Sequence, residues 1–281
     1  MISQEKKEIF DFDKWNPQLP ELSSRYVSAA PFPHIVIDNF LDETLLNGIL
    51  NEFLNFKAHE WINYAHINEK KRGFNKFSEF PPGIKAFIST LNTGAFCKFL
   101  SSLTGIENLL PDDMLEGGGL HESRRGGFLN IHADFVSHPH RSTWRRRVNL
   151  LVYLNKNWNE EWGGHLEFWS RDMKRCVQKI APHFNRCVVF STDAASFHGH
   201  PEPLNCPAEV ARRSIALYYF TEEGRELRVR STTYQPRPQD KGKRWLIRFD
   251  NFMLNGYTAI KRRLGISDKM ASAILKFFLR K

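Results

Sequence analysis

The sequence predicts an α+β protein in which helices come first and an antiparallel double sheet, a jelly roll in outline, follows. Three observations carry this expectation. Apolar residues recur at helical spacing through much of the chain before Gly105. From about Gly117 the pattern changes to short β-rich runs broken by the glycine groups Gly117-Gly118-Gly119, Gly126-Gly127 and Gly163-Gly164. The positive charge is then concentrated in the last fifth of the chain.

Taken in order, Pro31 to Phe40 reads as a short strand entered from proline-rich coil. Asp42 is placed to cap a helix whose apolar residues are Leu45, Leu46, Ile49, Leu50 and Phe53. Two more helical patterns carry Ile84, Phe87, Ile88 and Leu91, then Phe96, Phe99, Leu100 and Leu103. Runs 148–154, 165–169, 186–190 and 214–220 are rich in β-branched and aromatic residues and read as strands. Between Val136 and Arg147 lies a loop bearing four arginines.

A chain of 281 residues, 41% hydrophobic, is long enough to bury a full core. No apolar run approaches the roughly 20 residues of a membrane-spanning helix. The first residues lack an apolar signal core, so a cytoplasmic location is expected. The four cysteines at positions 97, 176, 187 and 206 show no CxxC spacing and read as reduced, buried thiols.

From Arg225 onward there are 15 lysines and arginines against 4 acidic residues, whereas the preceding 224 residues hold 25 basic and 27 acidic. This break predicts an N-terminal segment over 1–30, a catalytic domain over 31–224 and a basic extension over 225–281. The extension closes on a helix capped by Ser267 and striped by Met270, Ile274, Phe277 and Phe278. It is expected to be an appendage that supplies nothing to the active site. Its stripe would dock on the catalytic domain or on a second subunit, as in a homo-oligomer, or would rest peripherally on an anionic membrane surface. No nucleic-acid-binding motif is present, so nucleic acid is not an expected partner.

The chemistry is concentrated in Asn130-Ile131-His132-Ala133-Asp134-Phe135. Residues two apart on a strand point to the same side, so His132 and Asp134 present an imidazole and a carboxylate together. One more histidine from a neighbouring strand completes a set of two histidines and a carboxylate, which holds Fe(II) by one face and leaves the other open. Phe197-His198-Gly199-His200-Pro201 offers two candidates for it. Arg212 and Arg213 offer a guanidinium to anchor the distal carboxylate of a dicarboxylic co-substrate. Arg212, Ser214, Ala216 and Tyr218 share one strand face, and Arg213 lies on the other. Together these residues point to an oxygenase.

The ordered series of His132-x-Asp134, Tyr153-Leu154-Asn155-x-x-Trp158, Gly163-Gly164, His198-Gly199 and Arg212-x-Ser214 resembles the iron(II)- and 2-oxoglutarate-dependent dioxygenases, particularly the prolyl 4-hydroxylase-like branch. The resemblance runs from about Pro31 to Phe220 and implies a double-stranded β-helix core. It implies that His132, Asp134 and His198 are the catalytic metal ligands, with His200 as the rival for the distal position. Arg212 and Ser214 match the pair that binds the far carboxylate of 2-oxoglutarate. Tyr153 matches a tyrosine reaching that same carboxylate, and Asn149 and Leu151 share its face. Leu166 would line the pocket. His121 and Glu122 lie on an earlier strand that could face the cavity, while His138, His140 and His165 read as decoys.

The implied cofactors are Fe(II), 2-oxoglutarate and dioxygen, with ascorbate as an accessory reductant. The implied reaction is hydroxylation of an unactivated C–H bond with release of succinate and carbon dioxide. Related halogenases replace the carboxylate with a small residue, so Asp134 argues for hydroxylation. The resemblance leaves open a prolyl or other peptide substrate, an amino acid, a saccharide or a lipid-linked glycan, and the arginine-rich loop reads equally as a contact for an anionic substrate or as a solvated surface. The rival reading is a catalytically silent jelly-roll binding module with a basic partner- or membrane-binding tail. The complete residue set favours the enzyme.

Overall fold

A computed structural model describes residues 8–58, 60–228 and 230–247. The chain opens with helices α1 (Phe12–Trp15) and α2 (Leu19–Ser28), strand β1 (His34–Ile37) and helix α3 (Glu43–Asn55). The Asp42 carboxylate accepts the Leu45 amide at 3.0 Å, the cap expected from sequence. Strands β2 (Ile62–His66) and β3 (Glu69–Phe74) form a hairpin, followed by helices α4 (Pro82–Leu91) and α5 (Gly94–Thr104). The N-terminus of α4 is satisfied from α3, where Glu52 accepts the Gly83 and Ile84 amides at 2.9 and 2.8 Å. The remaining strands are β4 (Leu110–Pro111), β5 (Gly119–Arg124), β6 (Phe128–Ala133), β7 (Trp144–Tyr153), β8 (Leu166–Trp169), β9 (Cys176–Ile180), β10 (Cys187–Ser191), β11 (His198–His200), β12 (Ala211–Glu222) and β13 (Thr233–Tyr234).

All these strands join one curled antiparallel sheet in the order β1-β10-β7-β12-β5-β3-β6-β11-β8-β9, the jelly-roll layout expected from sequence. Its two layers meet at β3, which pairs with β5 through Arg72 to Phe74 and with β6 through Glu69 and Lys70. Alternation assigns the faces. Val148, Leu150 and Val152 of β7 and Ile215, Leu217 and Tyr219 of β12 pack with the buried faces of α2 to α5 in one core. Asn149 and Leu151, with Arg212, Ser214, Ala216 and Tyr218, face the interior of the roll. The helices therefore brace the outside of the layer whose inside is polar.

Three features depart from the sequence reading. The hairpin β2–β3 interrupts the helices, although its sequence has no apolar alternation. Strand β7 begins at Trp144, so Arg145, Arg146 and Arg147 belong to a strand rather than to a loop. The boundary expected near Gly224 is also corrected, because the chain returns to the sheet after it. The Leu227 amide bonds to Ser142 O at 2.9 Å. Thr233 and Tyr234 pair with Ala133 and His132, and the Gln235 amide donates to Ile131 O at 2.7 Å. Arg237 fastens this return by ion pairs with Glu202 and Asp240. Charge composition reports surface, whereas Tyr234 is only 4% exposed. The helix expected from Ser267 lies outside the described residues.

Because Tyr234 is buried, Tyr234→Ala is expected to cost about 3 kcal/mol, a fall of about 8 °C in Tm. Thermal unfolding of the purified variant checks this. An unchanged Tm would show that the tail strand contributes nothing to the domain.

Candidate active site

His132 sits on β6 and His198 directly opposite it on β11, with Asp134 just past the end of β6. Gly199 permits this closeness, since a Cβ there would come within 2.7 Å of Leu129 O. Each histidine donates from Nδ1 to the carbonyl two residues before it, His132 to Asn130 O and His198 to Ser196 O, both at 2.9 Å. That contact fixes the tautomer and leaves both Nε2 lone pairs free as ligands. Both Nε2 atoms turn to Asp134, at 3.5 Å from His132 and 3.4 Å from His198. One candidate donor atom from each residue lies within 4.8 Å of the others. Donors about 2.1 Å from a shared ion and at right angles to one another stand about 3 Å apart, so the set fits a divalent cation of borderline softness. His200 is not in this group.

The carboxylate is held from behind. Asn149 Nδ2 donates to Asp134 Oδ2 at 2.8 Å, and Arg146 Nη2 lies 3.1 Å from the same oxygen. Arg146 Nε donates to Asn149 Oδ1 at 2.8 Å. The guanidinium lies between the Tyr218 ring, 3.4 Å away, and the Phe135 ring, 4.6 Å away. Burial alone would raise the Asp134 pKa; Arg146 and the two histidines outweigh it and hold it well below the ordinary value. Burial pushes His198 down to about 4, against the pull of Asp134, so it stays neutral and able to bind metal. Arg146 was not singled out from sequence. A bulge between Tyr219 and Phe220 of the partner strand shifts the alternation and turns Arg146, rather than Arg147, inward with Asn149.

These groups line one cavity of about 400 Å³. Arg212, 6% exposed, lines it as well. Its Nε donates to Gly164 O at 2.7 Å and its Nη2 to the Tyr153 hydroxyl at 3.0 Å. Gly164 has φ +73°, and a Cβ there would meet Leu204 Cδ2 at 2.6 Å and Arg212 Cδ at 3.0 Å, so only glycine fits against the guanidinium stem. Tyr153 is fully buried and braces Arg212 through this bond. Ser214, Leu151 and Leu166 line the cavity, as expected. The Asn149 amide, expected among the co-substrate residues, is committed to Asp134 and Arg146. Arg213 faces the other side and pairs at 2.9 Å with Glu122, which also binds Arg72 and Arg124.

Of the other histidines, His121 and His140 line the cavity, the latter 3.2 Å from Glu116. Like His138 and His165, His140 is outside the donor group. Burial, then Lys71, pushes His121 down to about 3. His138 is buried against Asp112 at 3.2 Å and fastens the loop after Asp134, while His165 pairs with Glu160 away from the cavity. The remaining wall comes from elements the sequence did not announce. The Tyr234 ring lies 5.6 Å from that of His132, and its hydroxyl donates to Glu69 Oε1 at 3.2 Å. Glu69 also meets Lys71 at 3.2 Å and His66 at 2.9 Å. Burial would raise its pKa, but Lys71 and His66 hold it well below the usual range.

Comparison with known proteins agrees with this geometry. Residues 118–220 match the family model of the 2OG-Fe(II) oxygenase superfamily. The chain is 27% identical over 195 residues to prolyl 3-hydroxylase OGFOD1 of Mus musculus, covering 68% of this chain and 33% of that protein. It is 23% identical over 218 residues to prolyl 3,4-dihydroxylase OGFOD1 of Ostreococcus tauri, covering 70% and 39%. The chain thus spans little more than a third of the length of these curated relatives. Among solved structures, the prolyl hydroxylase of Trichoplax adhaerens, in complex with a hypoxia inducible factor peptide fragment, superposes with TM-score 0.52 at 22% identity, covering 73% of this chain and 91% of that one. A Pseudomonas putida prolyl-4-hydroxylase gives TM-score 0.50 at 16% identity, covering 72% and 100%. Fold and sequence relatives agree with the match over residues 118–220, and the chain is similar to iron(II)- and 2-oxoglutarate-dependent oxygenases, prolyl hydroxylases among them.

Proposed function

We propose that this chain is a hydroxylase acting on a prolyl residue of a peptide or protein, with Fe(II) held by His132, Asp134 and His198 and 2-oxoglutarate anchored by Arg212 and Ser214. The observation that carries the proposal is the convergence of the three donors on one cavity that also presents Arg212, a buried guanidinium with no carboxylate partner among the described residues. The prolyl assignment draws on the relatives, whose names describe prolyl hydroxylases.

Bound iron would supply oxygen activation, coupled to decarboxylation of 2-oxoglutarate. With both bound, the reaction would place one oxygen atom of dioxygen on the C–H bond and the other in succinate, with carbon dioxide released. The residues contribute position and field. The Nδ1 contacts of His132 and His198 orient both rings with Nε2 toward Asp134. Arg146 and Asn149 keep Asp134 ionised and limit its rotation. Tyr153 and Gly164 fix Arg212 so that its remaining N–H groups meet a carboxylate without rearrangement. The Tyr218 and Tyr234 rings and Leu129 line the cavity beside these groups.

The test supplies Fe(II), 2-oxoglutarate and dioxygen and measures succinate release, with and without proline-containing peptides, alongside peptide mass. A gain of one oxygen on proline, matched by succinate, supports the proposal. Succinate release with mass gain only on a non-peptide substrate would overturn the prolyl assignment. No metal-dependent 2-oxoglutarate binding at all would favour a silent binding module.

A further inference from the structure

His198 and His200 share β11, and only His198 belongs to the donor group. His200 is nonetheless 4% exposed and lines the same cavity, and its buried Nδ1 has no hydrogen-bond partner. Buried polar atoms are nearly always paired, so an unpaired ring nitrogen beside a cavity marks a place where a ligand completes the bonding. The shift of register between His198 and His200, which pair with His132 and Leu129 respectively, sets His200 back from the metal donors along β6. Arg212 and Lys71 line the same cavity as His200. Lys71 already has Glu69 as its partner.

Arg212 has committed Nε to Gly164 and one Nη2 contact to Tyr153, so it cannot satisfy every lone pair of a carboxylate alone. An imidazole can offer an N–H donor in either protonation state, and two ring nitrogens allow one to face the ligand whichever tautomer is present. Taken as a donor, His200 completes a cradle with Arg212 and Ser214, both of which also line the cavity.

We infer that His200 is a further binding residue for 2-oxoglutarate, donating a hydrogen bond to the same distal carboxylate that Arg212 anchors. The inference rests on the proposed co-substrate site, and the experiment separates the two. Binding of 2-oxoglutarate and of 2-oxopentanoate, which lacks the distal carboxylate, is measured by calorimetry on the full chain loaded with Mn(II) without oxygen. His200→Leu is expected to weaken 2-oxoglutarate roughly tenfold and leave 2-oxopentanoate unchanged, as befits one hydrogen bond to a charged group. His200→Asn, which keeps an N–H donor, should recover most of the loss. Mn(II) affinity should be the same in all three proteins.

Equal losses for both ligands, or an unchanged 2-oxoglutarate affinity while Arg212→Ala weakens it by on the order of 100-fold, would overturn the role of His200 and leave the co-substrate site standing. No 2-oxoglutarate binding by the unaltered protein would remove both. Should His200→Leu not fold, the ring nitrogen signals of isotope-labelled histidine in the unaltered protein read the same contact. The His200 signal should move on adding 2-oxoglutarate and stay still on adding 2-oxopentanoate, and no movement with either overturns the inference.

Discussion

Replacing Arg212 with alanine is expected to raise the 2-oxoglutarate concentration for half-saturation by on the order of 100-fold, because one partner of a buried charge pair is removed. Arg213→Ala should change it by less than about threefold, since that side chain lies across the strand against Glu122 and out of the cavity. Its cost should instead fall on stability, softened because Arg72 and Arg124 remain beside the same carboxylate. Arg212→Lys should recover little. An ammonium offers no planar fork to hold the Gly164 carbonyl and Tyr153 hydroxyl while also facing a ligand. Titration of the three metal-loaded variants with 2-oxoglutarate decides the matter. Equal effects from the two alanine substitutions would show that the wrong face of β12 has been assigned to the site.

Asp134→Ala is expected to lower Fe(II) or Mn(II) affinity by on the order of 100-fold or more, through loss of the anionic ligand. It should also destabilise the metal-free protein by about 3 kcal/mol, a fall of about 8 °C in Tm. Arg146 Nη2 has no hydrogen-bond partner, and its contact to Asp134 is an ion pair, so removing the carboxylate strands a buried guanidinium. The double substitution Asp134→Ala with Arg146→Met should therefore be more stable than Asp134→Ala alone while remaining unable to bind metal. Metal titration and thermal unfolding give independent readouts. Metal affinity that survives Asp134→Ala would refute the donor assignment whatever the stability shows.

What could be read from the sequence follows from the range of the interactions involved. Strand alternation is local, so the inward face of β12 and the pairing of His132 with Asp134 were legible from spacing. Asp42 as a helix cap was equally local. Arg146 was not legible, because the bulge that turns it inward arises against Tyr219 and Phe220, more than seventy residues away. The hairpin bearing Glu69 and Lys71 carries little apolar patterning of its own, and its burial is supplied by β5, β6 and Tyr234. Tyr234 itself belongs to a basic stretch whose average charge masks one buried aromatic. His198 and His200 were both candidates by spacing; the resemblance favoured His198, and the register across β6 places it opposite His132.

The seating of β13 beside β6 bears on how a polypeptide could approach. Strand β6 has β11 along one side and, on the other, β3 at Phe128 and Leu129 followed by β13 at His132 and Ala133. The strand carrying the metal-side histidine thus has its main-chain edge occupied by the protein's own tail, and an incoming peptide has no room to join there as an added strand. Recognition must then proceed without main-chain pairing to β6, through side chains at the mouth such as Tyr64, Glu116 and His140. Such an entrance favours a bend or a chain end inserted tip first, and it rewards the shape of one residue over the sequence of many.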